Sequence, residues 1–304
     1  MSSELRAPTL DDIPALVEFF DELESRHGDL NLSRSKLRDD FARPQENVEQ
    51  NYRILVEDGR IAGWVALWSP EGQPERIFYG PLALPRERER YVRLLGWAEE
   101  RSREIANGKS TRVQASAEHD DEELAGELRA HGYELVRYFF DMEIDLSDEP
   151  PEPVWPDGLA VRGFERSDAR AVYDADIEAF EDHWDSLSIT FEEWSEYFLG
   201  SSDFDPGLWS LVDDDGELAG FSLCSKRGGT ATGHVHVLGV RRPWRRRGLG
   251  TALLRHSFRE LRARGCERAR LMVDGENLTG AVQLYERAGM HVARRAERYW
   301  KELR

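Results

Sequence analysis

The chain is poor in sulfur, with two cysteines and four methionines in 304 residues. Two thiols as far apart as Cys224 and Cys266 build neither a disulfide framework nor a CxxC metal site, so both are expected to be buried and reduced. Long apolar runs are missing too: none approaches the roughly 18 residues of a spanning helix. The opening stretch MSSELRAPTLDD has neither the basic nor the hydrophobic segment of an export signal. A cytoplasmic protein with no membrane partner is expected. Positive charge is in short supply, with 41 Lys and Arg against 59 Asp and Glu and a net charge of -18. A chain of that sign repels nucleic-acid phosphate as a whole, so no nucleic-acid partner is expected either.

What is present argues for a folded chain. Hydrophobic residues make up 40% and aromatics 10%, with nine tryptophans, despite 33% charged residues. That composition is unlike a disordered polymer. The length fits two domains of about 150 residues each. Residues 146–158, LSDEPPEPVWPDG, concentrate proline and acid between patterned regions. Proline there fixes φ and removes amide donors, so a linker is expected at 147–157.

An internal repeat accompanies that boundary. GRIAGW begins at Gly59 and GELAGF at Gly216, while HGYELV begins at His131 and AGMHVA at Ala288, the same 157-residue offset each time. Two copies of one domain are therefore expected, 1–146 and 158–304. Each copy carries the same order of signals. Two helical segments come first, DIPALVEFFDELESR with LSRSKLRDDF, or DARAVYDADIEAF with TFEEWSEYFL. A hairpin turning on DG follows, then a strand, a long helix, a strand, a short helix and a terminal strand. That mixture describes an α/β domain with a mixed sheet, present twice.

The run RRPWRRRGLG, residues 241–250, places five arginines in seven residues beside Gly248 and Gly250. HVHVLGV before it is a strand, and Leu253, Leu254, Phe258 and Leu261 after it form one apolar helical face. Glycines permit a tight turn and close backbone approach, and free amides at a helix start hold anions. The target is thus a small phosphate-bearing ligand, with Arg242, Arg245, Arg246 and Arg247 as supporting charge. An ordinary solvated basic turn is the alternative.

Residues 240–250 resemble the acyl-CoA loop of the GCN5-related N-acetyltransferase (GNAT) family, whose pattern is Arg or Gln, two variable residues, Gly, one variable residue, then Gly or Ala. Here those positions are Arg245, Gly248 and Gly250. The later stretch VDGENLTGAVQLYERAGM, residues 273–290, is similar to a second family signature through Asn277, Ala281, Leu284, Tyr285 and Gly289. The spacing from Asn277 to Ala281 is one residue longer than the common form. The family includes tandem proteins, among them mycothiol synthases. The resemblance implies that Leu238, Val240, Arg245, Arg246, Arg247, Gly248, Leu249, Gly250, Thr251, Asn277 and Tyr285 contact acetyl-CoA. It implies no metal. At the 157-residue offset Arg88, Tyr91 and Arg93 stand opposite Arg245, Gly248 and Gly250. The first copy loses both glycines, so acetyl-CoA is expected on the second copy only.

Transfer from a thioester to an amine needs an unprotonated nucleophile, a stabilised carbonyl oxygen and a proton for the thiolate. The resemblance assigns the carbonyl to a backbone amide within residues 237–240, with Leu238 first. It assigns the proton to Tyr285, for which core packing is the alternative. Asn277 is read as a pantetheine contact or a helix cap, and Asp274 as a turn acid. Alternation along the strand puts His234 and His236 on one side and Val235 and Val237 on the other. His236 is the preferred base, and substrate shaping is its alternative. Glu181, Asp182 and His183 form a second candidate set suited to a cationic acceptor or a water relay, with an acidic surface helix end as the equal alternative; Trp184 is read as an apolar wall, with core packing as its alternative. The function expected is N-acetyl transfer to a primary amine of a small molecule, by a monomer or homodimer. The alternatives are a non-catalytic CoA-binding regulator or, within the enzyme class, a mycothiol synthase-like activity.

Overall fold

The computed structural model describes residues 3–28, 34–43, 46–84, 88–227, 230–277 and 280–304. Residues 32–33, 85–87 and 278–279, which belong to segments interpreted above, lie outside the described residues.

The chain forms two compact units, Met1–Tyr138 with Arg295–Arg304, and Phe139–Arg294. The first repeat runs β1 (Ser3–Arg6), α1 (Ile13–His27), α2 (Arg34–Ala42), α3 (Val48–Asn51), β2 (Tyr52–Glu57), β3 (Arg60–Trp68), β4 (Arg76–Tyr79), β5 (Leu82–Ala83), α4 (Arg88–Ala106), β6 (Thr111–Glu118), α5 (Glu122–Ala130) and β7 (Glu134–Asp145). The second runs β8 (Leu159–Gly163), α6 (Ala169–Phe180), α7 (Phe191–Leu199), β9 (Trp209–Asp214), β10 (Glu217–Lys226), β11 (Thr232–Val240), α8 (Leu249–Ala263), β12 (Arg268–Asp274), α9 (Ala281–Arg287) and β13 (His291–Leu303). Equivalent strands β2 and β9, β3 and β10, β6 and β12, and β7 and β13 all start 157 residues apart, at Tyr52 and Trp209, Arg60 and Glu217, Thr111 and Arg268, and Glu134 and His291. The repeat is thus an architectural one, two tandem copies of a mixed-sheet α/β fold.

Local chemistry explains the elements. Both hairpins turn on Asp-Gly with positive φ at each residue, Asp58 and Gly59 at 47° and 82°, Asp215 and Gly216 at 48° and 86°. That is the type I′ geometry whose twist matches the strands it joins. α7 starts with a reciprocal cap, the Glu193 amide donating to Thr190 Oγ1 at 3.1 Å and the Thr190 amide to Glu193 Oε2 at 2.7 Å. α8 buries Leu249, Ala252, Leu253, Leu254, Ser257, Phe258 and Leu261, a stripe at helical spacing.

The linear division expected at 147–157 differs from this grouping by contact. β7, the last strand of the first repeat, pairs antiparallel with β12 of the second through Asp145↔Arg268 to Phe139↔Asp274. β13, the last strand of the second repeat, pairs with β6 of the first through Leu303↔Thr111 to Ala296↔Glu118. The terminal strands are exchanged between repeats. Either edge accepts a strand of this pattern, because ladder bonds join main-chain groups that every residue carries. The proline-rich segment is anchored too: Arg259 donates to the Pro150 carbonyl at 2.9 Å, Arg262 to the Leu146 carbonyl at 2.9 Å, and Trp155 packs on His256.

In the second unit α8 covers one sheet face and α6 with α7 the other. Along β10, Ser222 hydrogen-bonds Ser257 of α8 at 2.7 Å, whereas Phe221 and Leu223 join a core with Val172, Trp194 and Trp209. Cys224 and Cys266 are free and buried.

Candidate active site

β11 is parallel to β12 only from Thr232↔Arg268 to His234↔Arg270, after which no pairing is recorded among the described residues. Both strands continue, β11 to Val240 and β12 to Asp274, so they part and leave an opening in the sheet. On its other side β11 stays paired with β10, with a register shift where Leu223↔Val237 gives way to Cys224↔Val235. His236 is the extra residue of that bulge.

The bulge changes the side-chain order expected from alternation. Val235 packs with Leu254 and Phe258 of α8, whereas Val237 packs with Val172 and Trp194 on the opposite face. The expectation that these valines share a side is therefore corrected: the extra residue of the bulge between them breaks the two-residue period. The histidines do share a side, their rings stacked at 5.9 Å and 22°. His234 is buried, while His236 is exposed with Nε2 at 2.8 Å from Ser225 Oγ.

β11 leads through a short 3-10 turn, Arg242–Trp244, to Gly248, the N-cap of α8 at φ +88°. A Cβ built on Gly248 meets nothing within 4 Å, so the backbone is open to approach there and only the left-handed φ demands glycine. Gly250 is constrained differently, because a Cβ on it comes within 3.2 Å of Leu284 Cδ1 on α9. Its lack of a side chain lets α8 and α9 pack. Among the described residues no acceptor in the chain takes the amides of residues 248–251, which are the orphan donors of a helix start. With the helix dipole they favour an anion. The Leu249 side chain is buried, so its backbone is the part available, and Thr251 lies in the same first turn.

The arginines divide. Arg241 pairs with Glu178 at 2.7 Å and Glu217 at 2.9 Å. Arg242 reaches Asp182 at 2.8 Å and Glu181 at 3.1 Å. Arg245, assigned to the donor by resemblance, donates to the Val240 carbonyl at 3.0 Å and the Ala179 carbonyl at 3.1 Å. Arg247 lies 4.0 Å from Asp214. Arg246, exposed at φ +60°, makes no side-chain hydrogen bond or ion pair among the described residues.

Tyr285 sits on α9, half-buried against the cluster that Leu238, Leu284 and Ala281 also touch. Burial pushes its phenol up to about 12, which keeps its proton in place. Asn277 follows β12 in a turn, its amide donating to the Asp274 carbonyl at 3.1 Å, while Asp274 Oδ1 accepts from the Glu276 amide at 2.9 Å. Asp274 is a turn acid. The structure therefore gathers Leu238 and Tyr285 on the α8 face and the histidines on the other, with the opening between β11 and β12 beside both.

The acidic set at the end of α6 has the alternative character of an acidic surface helix end. Glu181 and Asp182 face Arg242, and His183 Nδ1 lies 3.0 Å from the Trp184 carbonyl with its ring 6.0 Å from Phe180. Sequence reasoning passed over Asp176 on α6. Burial lifts its carboxyl to about 6, offset in part by the hydrogen bond it accepts from Trp194 Nε1 at 2.9 Å. Its position one turn after Val172, on the apolar stripe, was the available signal.

In the first unit β4 pairs in parallel with β6 along its whole length, Arg76↔Arg112 to Tyr79↔Ala115, and β6 runs on to Glu118. Tyr91, at the place of Gly248 in the repeat, is buried and donates to Asp121 at 2.6 Å. A cleft of about 140 Å³ lined by Tyr91, Ser116, Glu118 and Asp121 remains there, smaller than the ~300 Å³ and upward of ordinary small-molecule sites. Among the described residues no group of three or more His, Cys, Asp or Glu could hold a metal ion, and no helix is long and apolar enough to cross a membrane.

Parted parallel strands beside a helix start with open amides make the clasp of an acyltransferase fold. Comparison bears on which one. The profile of the "Acetyltransferase (GNAT) family" matches residues 169–290. A mycothiol acetyltransferase of Streptomyces scabiei is 35% identical over 185 residues, covering 60% of this chain and 59% of that protein. A mycothiol acetyltransferase of Streptomyces griseus is 31% identical over 245 residues, covering 78% and 75%. A GCN5-related N-acetyltransferase from Sphaerobacter thermophilus superposes with a TM-score of 0.83 at 30% identity, covering 99% of this chain and 96% of that one. The chain belongs to the GCN5-related N-acetyltransferase family.

Proposed function

We propose that the second unit transfers an acetyl group from acetyl-CoA to a primary amine of a small molecule. The observation that carries this reading is the end of β11–β12 pairing at His234↔Arg270, beside open amides at residues 248–251. The residues present fit the donor: Gly248 leaves the backbone open, and the amides of 248–251 with Arg246 and Arg247 supply charge of the right sign for its phosphates. Acetyl-CoA supplies the acetyl thioester.

The chain's own groups handle the protons. The unpaired edge of β11 past His234 offers backbone amides, Leu238 first, to the carbonyl oxygen. His236, anchored by Ser225, takes the proton from the attacking amine as the N–C bond forms. Tyr285, held protonated by burial, donates its phenolic proton to the sulfur as the C–S bond breaks. Solvent returns each group to its starting state. Asn277, in the turn that follows β12, is assigned to the pantetheine arm by the family resemblance alone. Arg245 is not assigned to the phosphates, because its guanidinium is turned to the carbonyls of Val240 and Ala179. Glu181 and His183 are not assigned to proton transfer for the same kind of reason, Glu181 being engaged with Arg242 and His183 lying against Trp184 and Phe180.

The first unit is proposed to hold no acetyl-CoA. Tyr91 occupies the place of Gly248 there. Within the same activity, the name mycothiol acetyltransferase carried by the Streptomyces relatives supports a narrower reading, acetylation of the mycothiol precursor.

The test is CoA release from acetyl-CoA across a panel of primary amines, repeated with His236→Gln and Gly248→Trp. Turnover with at least one amine, lowered by His236→Gln and abolished by Gly248→Trp, is expected. Tight acetyl-CoA binding without turnover on any amine would instead identify a CoA-responsive regulator.

A further inference from the structure

α6 ends in acid. Glu178 lies in its last turn and Glu181 and Asp182 just beyond, and the last turn holds no basic residue of its own. Carboxylates at the C-terminal end of a helix oppose its dipole, and like charges there repel. The compensating cations come from the loop before α8. Arg241 takes Glu178 at 2.7 Å, Arg242 takes Asp182 at 2.8 Å and Glu181 at 3.1 Å, and Arg245 donates to the carbonyl of Ala179 at 3.1 Å. Arg241 is anchored further by the Leu218 carbonyl at 3.0 Å and Glu217 at 2.9 Å. One such exposed pair is worth little, but three cations on one helix turn form a network.

We propose that Arg241, Arg242 and Arg245 are positioning residues that cap α6 from the donor loop, so that this loop determines where the α6 end, with Phe180 and His183, stands against the end of β11 at Val240. The inference rests on the reading of residues 245–251 as the donor loop. It divides the arginine run by role: residues 241, 242 and 245 hold the α6 side, while Arg246, Arg247 and the helix amides face the donor. The same network accounts for three of the five arginines that an acidic chain concentrates here. Their partners are the chain's own carboxylates and a helix end.

Hydrogen exchange of the whole chain tests this with acetyl-CoA affinity as the second readout. In Arg242→Gln, amide exchange across residues 178–184 should rise about fivefold or more, while the acetyl-CoA Kd stays within about threefold. Salt at about 0.5 M should raise exchange there in the wild type by screening the same pairs. Reversing the charges, Arg242→Glu with Glu181→Lys and Asp182→Lys, should restore protection, and Arg242→Lys should restore part of it. Unchanged exchange in Arg242→Gln, or no recovery on reversal, would overturn the proposal, as would a tenfold loss of acetyl-CoA affinity with exchange unaltered. If the wild type binds no acetyl-CoA, the donor reading fails while the exchange measurements still report on the cap.

Discussion

Val235 and Val237 are two residues apart on one strand and lie in different cores, Val235 against Leu254 and Phe258, Val237 against Val172 and Trp194. A regular strand would put both on one face. The extra residue between them is His236, so the bulge that separates the valines also sets the imidazole beside His234 on the face away from α8. A main-chain irregularity thus locates the proposed base.

The exchanged terminal strand makes one unit depend on the far end of the chain. Tyr299 and Leu303, 0% and 2% exposed, belong to the core of the first unit. A chain ending at Arg294 should lose that unit's folding transition, because removing two core side chains and the neighbour of β6 costs more than about 5 kcal/mol. The second unit, which ends at Arg294, should keep its own. Calorimetry with proteolytic mapping checks this, and selective loss of the second unit would contradict the exchange.

Tyr285→Phe removes the proposed acid and leaves the ring. Turnover should fall about 10²-fold or more with acetyl-CoA affinity within about twofold. Because burial raises the phenol to about 12, ionisation of Tyr285 should leave no mark on a rate profile between about pH 6 and 9. Full turnover by the variant would return Tyr285 to a packing role.

Asp176 gives a pH-dependent stability with a definite sign. Its pKa is about 6 in the folded chain, above the ordinary value of about 4, so the unfolded chain releases the proton first. Stability from this group is therefore lost as pH rises from about 4 to about 6. Asp176→Asn keeps an oxygen for Trp194 Nε1 and should stabilise the protein by about 1–2 kcal/mol at pH 7, with little gain at pH 4. Urea midpoints at the two pH values decide it; a destabilised variant at pH 7 would mean the carboxylate charge is favoured where it sits.

Donor stoichiometry tests the asymmetry between repeats. Titration of the whole chain should give one acetyl-CoA, and Gly248→Ala should weaken it more than about tenfold. The same variant should lower stability by only about 1–2 kcal/mol, the strain of a Cβ at φ +88° in otherwise open space. Two donors per chain would show that Tyr91 does not close the first cradle.

Much of the architecture was legible in order along the chain. The repeat, the Asp-Gly hairpins and the apolar stripe of α8 are local patterns, and local patterns survive folding because neighbours in sequence impose them. Gly248 was legible because a left-handed φ is a local demand. The second reason for Gly250, its approach to Leu284 on α9, was not, since it depends on a residue far along the chain. Nor was the assignment of Arg242 to Glu181 and Asp182, because charge on two distant segments carries no address.

The sequence by itself determined two copies of a mixed α/β domain, the loss of both glycines from the first, and the elements on which Tyr285, His236 and the arginines lie. Tertiary structure decided which edge each terminal strand joined, where β11 bulged and parted from β12, and which arginines turned inward. Those outcomes depend on pairing between groups every residue carries, main-chain amides and carbonyls, and on charges whose partners become neighbours only when the chain is folded.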